Sequence, residues 1–304
     1  MDEAVAGRIH TLKMIIRVAG TTIAALALMA GTSAFSSQPA ARQSQAQHAS
    51  ARQASPRPST HPMIPARLPA GRAAAASAIG NIKTVGSTNW AGYAVHKKGV
   101  KFRKITATFF VPFLNCAVSP GSTFSSAWVG LDGFSNGTVE QDGISANCHG
   151  STPQYAAWYE TFPSPEVQTR IAIHHGDSIT ATVTFSPSTS KYRMAVTDNT
   201  NHHHFAVSRK CKTSVCKRTS AEVISEAPTI ITSSGPTQAS LADYGAESFA
   251  SIAITSSTGR SGGISSTHWS PTKIVEVGIT SHAPIAFPTS LHGPSFDNYW
   301  LGEN

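Results

Sequence analysis

Ser178–Ser186 reads SITATVTFS, and its alternation is strict: Ile179, Ala181, Val183 and Phe185 fall on one side, Thr180, Thr182 and Thr184 on the other. A period of two belongs to an extended strand with one face for a core and one for water, and it excludes a helix here. Further strand-like segments are Arg103–Pro112, Gln154–Phe162, Val167–Ile173, Lys191–Thr197, Ala221–Ala227, Phe249–Thr255 and Lys273–Thr280, separated by Gly, Pro, Asn and Ser. No segment carries convincing amphipathic helical spacing. Charged residues make up only 13% of the chain, and Ser and Thr are abundant, as suits long antiparallel strands. The expected fold is all-β: a two-sheet antiparallel β-sandwich without internal repeat or second domain.

That domain is expected to span 86–304. Before it, Arg8, Lys13 and Arg17 precede the apolar run Val18–Ala34, which ends in small residues. Residues 1–37 therefore read as a secretory signal peptide. A membrane anchor is the alternative, weakened by Gly20, Thr21, Thr22 and Gly31 within a run barely long enough to span. Residues 38–85 are rich in Ala, Ser, Pro, Gln and Arg, lack acidic side chains, and read as a disordered basic segment. This division explains the charge. Nine Lys/Arg stand against two Asp/Glu before residue 86, and 15 against 14 after it, so the net +8 belongs almost wholly to the leader. Basic runs around Lys97–Lys104 and Arg209–Arg218 read as solvated strand edges. Nothing resembles a nucleic-acid module, and no stable membrane association is expected once the leader is gone.

Cys116, Cys148, Cys211 and Cys216 are even in number in an apparently exported chain, which favours disulfides. Of three possible connectivities we prefer Cys211–Cys216 closing a short loop, with Cys116–Cys148 as the second bridge. A zinc site using His202–His204 is the rival, but C-x4-C beside three consecutive His residues is poor ligand spacing. No metal and no cofactor is expected.

The chemistry concentrates in Ser126–Pro163 and Ser220–Pro228. The first holds AWVGLDG, then Gln141 in Q-x-G, then YAAWYETFP; the second is SAEVISEAP. With STNWAGY at Ser87–Tyr93 and LADYGAESF at Leu241–Phe249, these ordered blocks resemble the glutamic peptidases, the eqolisin family of secreted acid endopeptidases. The resemblance implies a concanavalin- or legume-lectin-like sandwich whose concave sheet carries the substrate. It also implies a catalytic dyad of Gln141 and Glu226, with Trp128, Asp132, Trp158, Glu160 and Phe162 lining or supporting the subsites. It further implies a propeptide removed on maturation and insensitivity to pepstatin. Two departures stand out: Ala156 replaces a usual Asp, and Glu140 precedes the Gln where an apolar residue is more common.

Alternation supports this independently of the family. Ala156, Trp158, Glu160 and Phe162 share one strand face, and Glu222, Ile224 and Glu226 share another, with the last two carboxylates roughly 13 Å apart. Carboxylates among rings suit a cleft. Glu226 would act as general base and return the proton to the leaving nitrogen, while the Gln141 amide supplies donors for the oxyanion. Such a pair works in acid, where a His base would be protonated. Glu140 and Asp142 should point to the opposite face, Asp142 as a surface charge or a tuner of the turn. For Asp132 the alternative is turn capping before a Gly; for Trp128 and Trp158 it is core packing.

The expected function is thus a secreted, extracellular acid endopeptidase acting on polypeptides as a monomer, blocked by its own basic propeptide. Other readings are a carbohydrate-binding sandwich using Trp128 and Trp158, and a glycosidase using Glu160 with Glu226. A serine hydrolase is disfavoured because no G-x-S-x-G elbow occurs.

Overall fold

A computed structural model describes residues 57–59, 61–68, 82–119, 121–211 and 216–304. The signal-peptide reading for 1–37, and the propeptide reading for most of 38–85, fall outside the described residues. Every regular element described is a strand, and no described helix is long and apolar enough to cross a membrane.

Two sheets face each other. The first runs, in order of pairing, Val167–Gln168, Thr152–Phe162, Val139–His149, Ser122–Leu131, Ser220–Glu226, Trp90–His96, Ser270–Val277 and Lys83–Ser87. The second runs His204–Lys210, Lys191–Asp198, Ser178–Ser186, Phe102–Phe110, Ala246–Ser256, Phe296–Trp300 and Pro284–Pro288. Pairing is antiparallel except where Lys83–Ser87 runs parallel to Thr272–Glu276. Pro284–Pro288 also pairs with Glu276 and Val277, joining the sheets along one margin.

The alternation of Ser178–Ser186 does what its sequence implies. Ile179, Ala181 and Val183 are fully buried, packing with Ile105, Phe109, Met194 and Phe249 of their own sheet and with Val129, Ile144 and Val223 of the other. Thr180 and Thr182 bond to Thr108 and Thr106 across the outer face at 2.9 and 2.7 Å. The cysteines pair as preferred, Cys116–Cys148 and Cys211–Cys216.

Some expectations need correction. Of Val167–Ile173 only Val167–Gln168 is a strand. The residues after Ser281, left without a role, supply two strands that complete the second sheet. Within the stretch read as a disordered basic segment, Arg57–Ser59 pairs with Thr229–Ile231, whose strand forms a hairpin with Gly235–Gln238. Pro65–Ala66 pairs with Gly86–Ser87, and the strand starting at Lys83 begins before residue 86.

Candidate active site

The first sheet has a second apolar face, away from the sandwich core, built from Trp90, Ala94, Trp128, Val139, Trp158, Ile224 and Ile274. The register places the chemistry on it. Glu222 lies opposite Gly130, Gly130 opposite Gln141, and Gln141 opposite Glu160, forming one row across four strands. Two residues along, Ile224, Trp128, Gly143 and Trp158 form the next row, and Trp90, Glu226, Ser126, Ser145 and Ala156 the one after. The predicted side chains Gln141, Glu226, Trp128, Trp158, Glu160 and Phe162 therefore share one face. Gly143 explains the Q-x-G pattern: a Cβ there would sit 2.2 Å from the Ala127 carbonyl oxygen and 2.6 Å from Trp128 Cβ. Only glycine lets Trp128 lie against that strand.

Trp128 holds the proposed base. Its Nε1 donates to Glu226 Oε2 at 2.9 Å, and its ring meets Trp90 edge-on at 4.9 Å. Asn89 Nδ2 donates to Glu226 Oε1 at 3.2 Å. Glu226 is fully buried. Burial pushes its carboxyl well above the usual range and nearby Glu160 adds to the rise, while the donors from His61, Trp128 and Asn89 oppose it. Gln141 Nε2 donates to Glu160 Oε2 at 2.7 Å, so one amide hydrogen is committed and the amide's orientation is fixed.

Ser59 and residues 61–66 cross this face. Ser59 Oγ donates to Glu160 Oε1 at 2.9 Å, and the His61 backbone nitrogen donates to Glu226 Oε1 at 3.0 Å. The His61 carbonyl accepts from Trp90 Nε1 at 3.0 Å, and its ring lies 4.8 Å from that of Phe162. Met63 N donates to the Gly133 carbonyl at 3.1 Å, Ile64 N to Asn89 Oδ1 at 2.8 Å, and Thr88 N to the Ile64 carbonyl at 3.0 Å. Sequence reasoning missed Asn89, although it stands in the STNWAGY block, and it missed the individual residues of this strap. A Ser- and Pro-rich stretch without periodicity signals no contact.

The remaining predicted residues sort differently. Asp132 is fully buried at positive φ (72°) and accepts four hydrogen bonds. They come from Arg218 N at 2.6 Å, Thr219 N at 2.8 Å, Thr219 Oγ1 at 3.1 Å and Asn136 Nδ2 at 2.7 Å. This is the turn-anchoring alternative, and every bond goes to the protein. Asp142 is not a surface charge: it is fully buried between the sheets and accepts from the Ala195 amide. Glu140 is buried on the same side, and burial pushes its carboxyl up to about 9. Cys211 and Cys216 lie beside Glu140, but with both sulfurs in the disulfide they offer a metal no thiolate. Glu166, not singled out from the sequence, is pushed well up by burial and then by Glu160.

Beneath Glu226, Ser225 Oγ donates to buried Glu247 and accepts from Asn298 Nδ2 at 2.7 Å. Glu247 is pushed up to about 7 by burial.

Residues 88–283 match the profile of the Peptidase A4 family. The fold is similar to that of scytalido-glutamic peptidase solved with a transition state analog inhibitor, at TM-score 0.59 and 25% identity over 70% of this chain and 98% of that one. It is also similar to SCP-B, a member of the eqolisin family solved with the tripeptide Ala-Ile-His, at TM-score 0.55 and 24% identity over 70% and 98%. No curated protein sequence matches the chain. Fold and family match together define a glutamic-type endopeptidase, whose substrates are polypeptides. The chain belongs to the Peptidase A4 family.

Proposed function

We propose that this protein is a secreted acid endopeptidase in which Glu226 activates water and Gln141 stabilises the oxyanion. The observation that carries the reading is a backbone amide, that of His61, held 3.0 Å from Glu226 Oε1 in a ring-lined cleft. A peptide lying there meets a carboxylate at one of its nitrogens, where a leaving group needs a proton. Glu226 takes a proton from water as the oxygen attacks the carbonyl carbon, then passes it to the departing nitrogen. Burial beside Glu160 makes Glu226 a stronger base once ionised and a competent acid once charged with that proton. Gln141 does not titrate, so its amide donors persist in acid, the amide oriented by Glu160.

In this reading the strap is the propeptide acting as inhibitor, since Ser59 and His61 occupy the carboxylates a substrate would meet. Secretion is supported by the two disulfides together with the leader composition. The enzyme works as a monomer outside the cell.

The test is cleavage of a denatured protein across about pH 2–7 with pepstatin present, comparing wild type with Glu226→Gln and Gln141→Ala. Loss of about 10²-fold or more in each folded variant is expected. Activity that survives both changes overturns the dyad.

A further inference from the structure

The two disulfides differ in setting. Cys116 and Cys148 are 7% and 1% exposed, both within the apolar core between the sheets. Cys211–Cys216 lies where the chain passes from His204–Lys210 of the second sheet to Ser220–Glu226 of the first. Both of its sulfur-bearing residues border a surface cavity of about 300 Å³, together with Tyr192, Lys210 and Arg218. The Arg218 guanidinium lies over the Phe185 ring at 3.8 Å, which fixes its charge at the same cavity.

Behind Cys216 stands a carboxyl. Glu140 is fully buried, and its Oε1 lies 2.8 Å from Cys216 Sγ. Burial raises its proton affinity most, Asp132 adds to the rise, and Tyr192 and Arg218 oppose it, so it holds its proton up to about pH 9. Glu222 is a further carboxyl whose charge is coupled to it. Burial and then Glu140 itself keep the Tyr192 phenol protonated beyond its ordinary range. A neutral carboxyl in contact with a disulfide sulfur is a proton donor waiting for that sulfur to become negative.

Thiol–disulfide exchange needs such a donor. The attacker is a thiolate, and the sulfur it displaces departs as an anion unless a proton reaches it. Contact with Glu140 makes Cys216 the better leaving group, so attack falls on Cys211. Lys210 and Arg218 favour a negatively charged attacker in the cavity and steady the charge on sulfur.

We propose that Cys211–Cys216 is an exchange site for small anionic thiols, with Glu140 as the proton donor to Cys216. The thiol first loses its proton to water. Its sulfur bonds to Cys211 Sγ as the Cys211–Cys216 bond breaks, the bonding pair stays on Cys216, and Glu140 passes its proton there. Glu140 then regains a proton from water. One thiol is consumed and one is formed, with Cys211 left in a mixed disulfide, so no further oxidant or reductant is required.

The experiment treats the purified full chain with mercaptoethanesulfonate over about pH 6–10, quenches in acid, alkylates, and maps each cysteine by mass spectrometry. The expected result is the adduct on Cys211, an alkylated Cys216 and an intact Cys116–Cys148 bridge. Glu140→Gln, shown folded by circular dichroism, should react about tenfold or more slowly at equal thiolate concentration. In the wild type the rate per thiolate should fall as pH passes about 9, and that fall should vanish in Glu140→Gln. The wild-type profile reads the donor even where the variant does not fold. At low salt the sulfonate should outpace the cationic thiol cysteamine by about threefold or more. An adduct on Cys216, or opening of both bridges together, overturns the site. A rate per thiolate that is flat across the series overturns the role of Glu140, as does an unchanged rate in folded Glu140→Gln. Faster reaction with cysteamine overturns the anionic class of thiol.

Discussion

Gln141 stands directly opposite Glu160 on neighbouring strands and donates to it at 2.7 Å, so the residue proposed to hold the oxyanion is oriented by a carboxylate. An amide has two faces of opposite polarity, and an acceptor on the nitrogen side forbids the flipped orientation. Glu160→Ala should lower kcat by roughly 10–100-fold with KM changed far less, while Glu160→Gln should retain more activity. Steady-state kinetics on a fluorogenic peptide decide it; an unchanged kcat in Glu160→Ala would remove the positioning role.

Asp132 should behave as a stability residue. It leaves four donors without an acceptor when truncated, two of them the backbone amides of Arg218 and Thr219. Asp132→Ala is expected to cost on the order of 3–5 kcal/mol in denaturant unfolding. Its KM, measured where the variant is folded, should stay near that of wild type.

The strap should loosen as acid rises through the His61 titration. Burial holds the His61 imidazole below its ordinary 6.5, so the free strap takes up a proton before the bound one does. The sign follows: full docking above pH 6.5, and weakening of up to about tenfold per pH unit below it until the bound ring also titrates. Glu226 acts in the opposite sense, because burial raises its affinity for a proton and its protonated form favours the covered state; Glu160, also at the strap, adds to that rise. In a Glu226→Gln chain this opposing term is gone. Hydrogen exchange at Met63 and Ile64, corrected for intrinsic rates, should then accelerate as pH falls, and His61→Gln should flatten the dependence.

Buried carboxyls with raised proton affinity should make the fold more stable in acid than at neutral pH. Burial raises Glu140 to about 9, Glu247 to about 7, and Asp142, Glu222 and Glu276 well above their ordinary values. A group with a raised native pKa contributes stability that is complete below its unfolded value, near 4, and is lost as pH rises through the native one. For Glu247 the loss falls between about 4.5 and about 7, and for Glu140 it continues to about 9. Tm should decline steadily from pH 4 to 8, and Glu247→Gln should decline less. A flat profile would mean these groups ionise freely in the folded protein.

The strands and the faces of the cleft were legible because alternation reports on any strand with one wet side. Ser178–Ser186 announces itself, and the shared face of Trp158, Glu160 and Phe162 follows from counting by two. Val139–His149 is different: all but its last residue are buried, so both faces are interior and polarity no longer marks the outside. That is why Asp142 read as a surface charge while it sits between the sheets. The Pro284–Pro288 and Phe296–Trp300 strands are five residues each, too short for a period to accumulate. The strap has no hydrophobic pattern, because its contacts are made by backbone amides and carbonyls, which every residue carries alike.

The Phe296–Trp300 strand ties the cleft floor to a distant stretch of the chain. Asn298 donates to Ser225 Oγ and to the Ala91 carbonyl, bracing the strand beside Ser220–Glu226 and the residue next to Glu226 itself. Synthesis runs from the amino end, so the strap is made before Glu226, and Glu226 gains its underlying brace only once Asn298, 73 positions beyond Ser225, has been made.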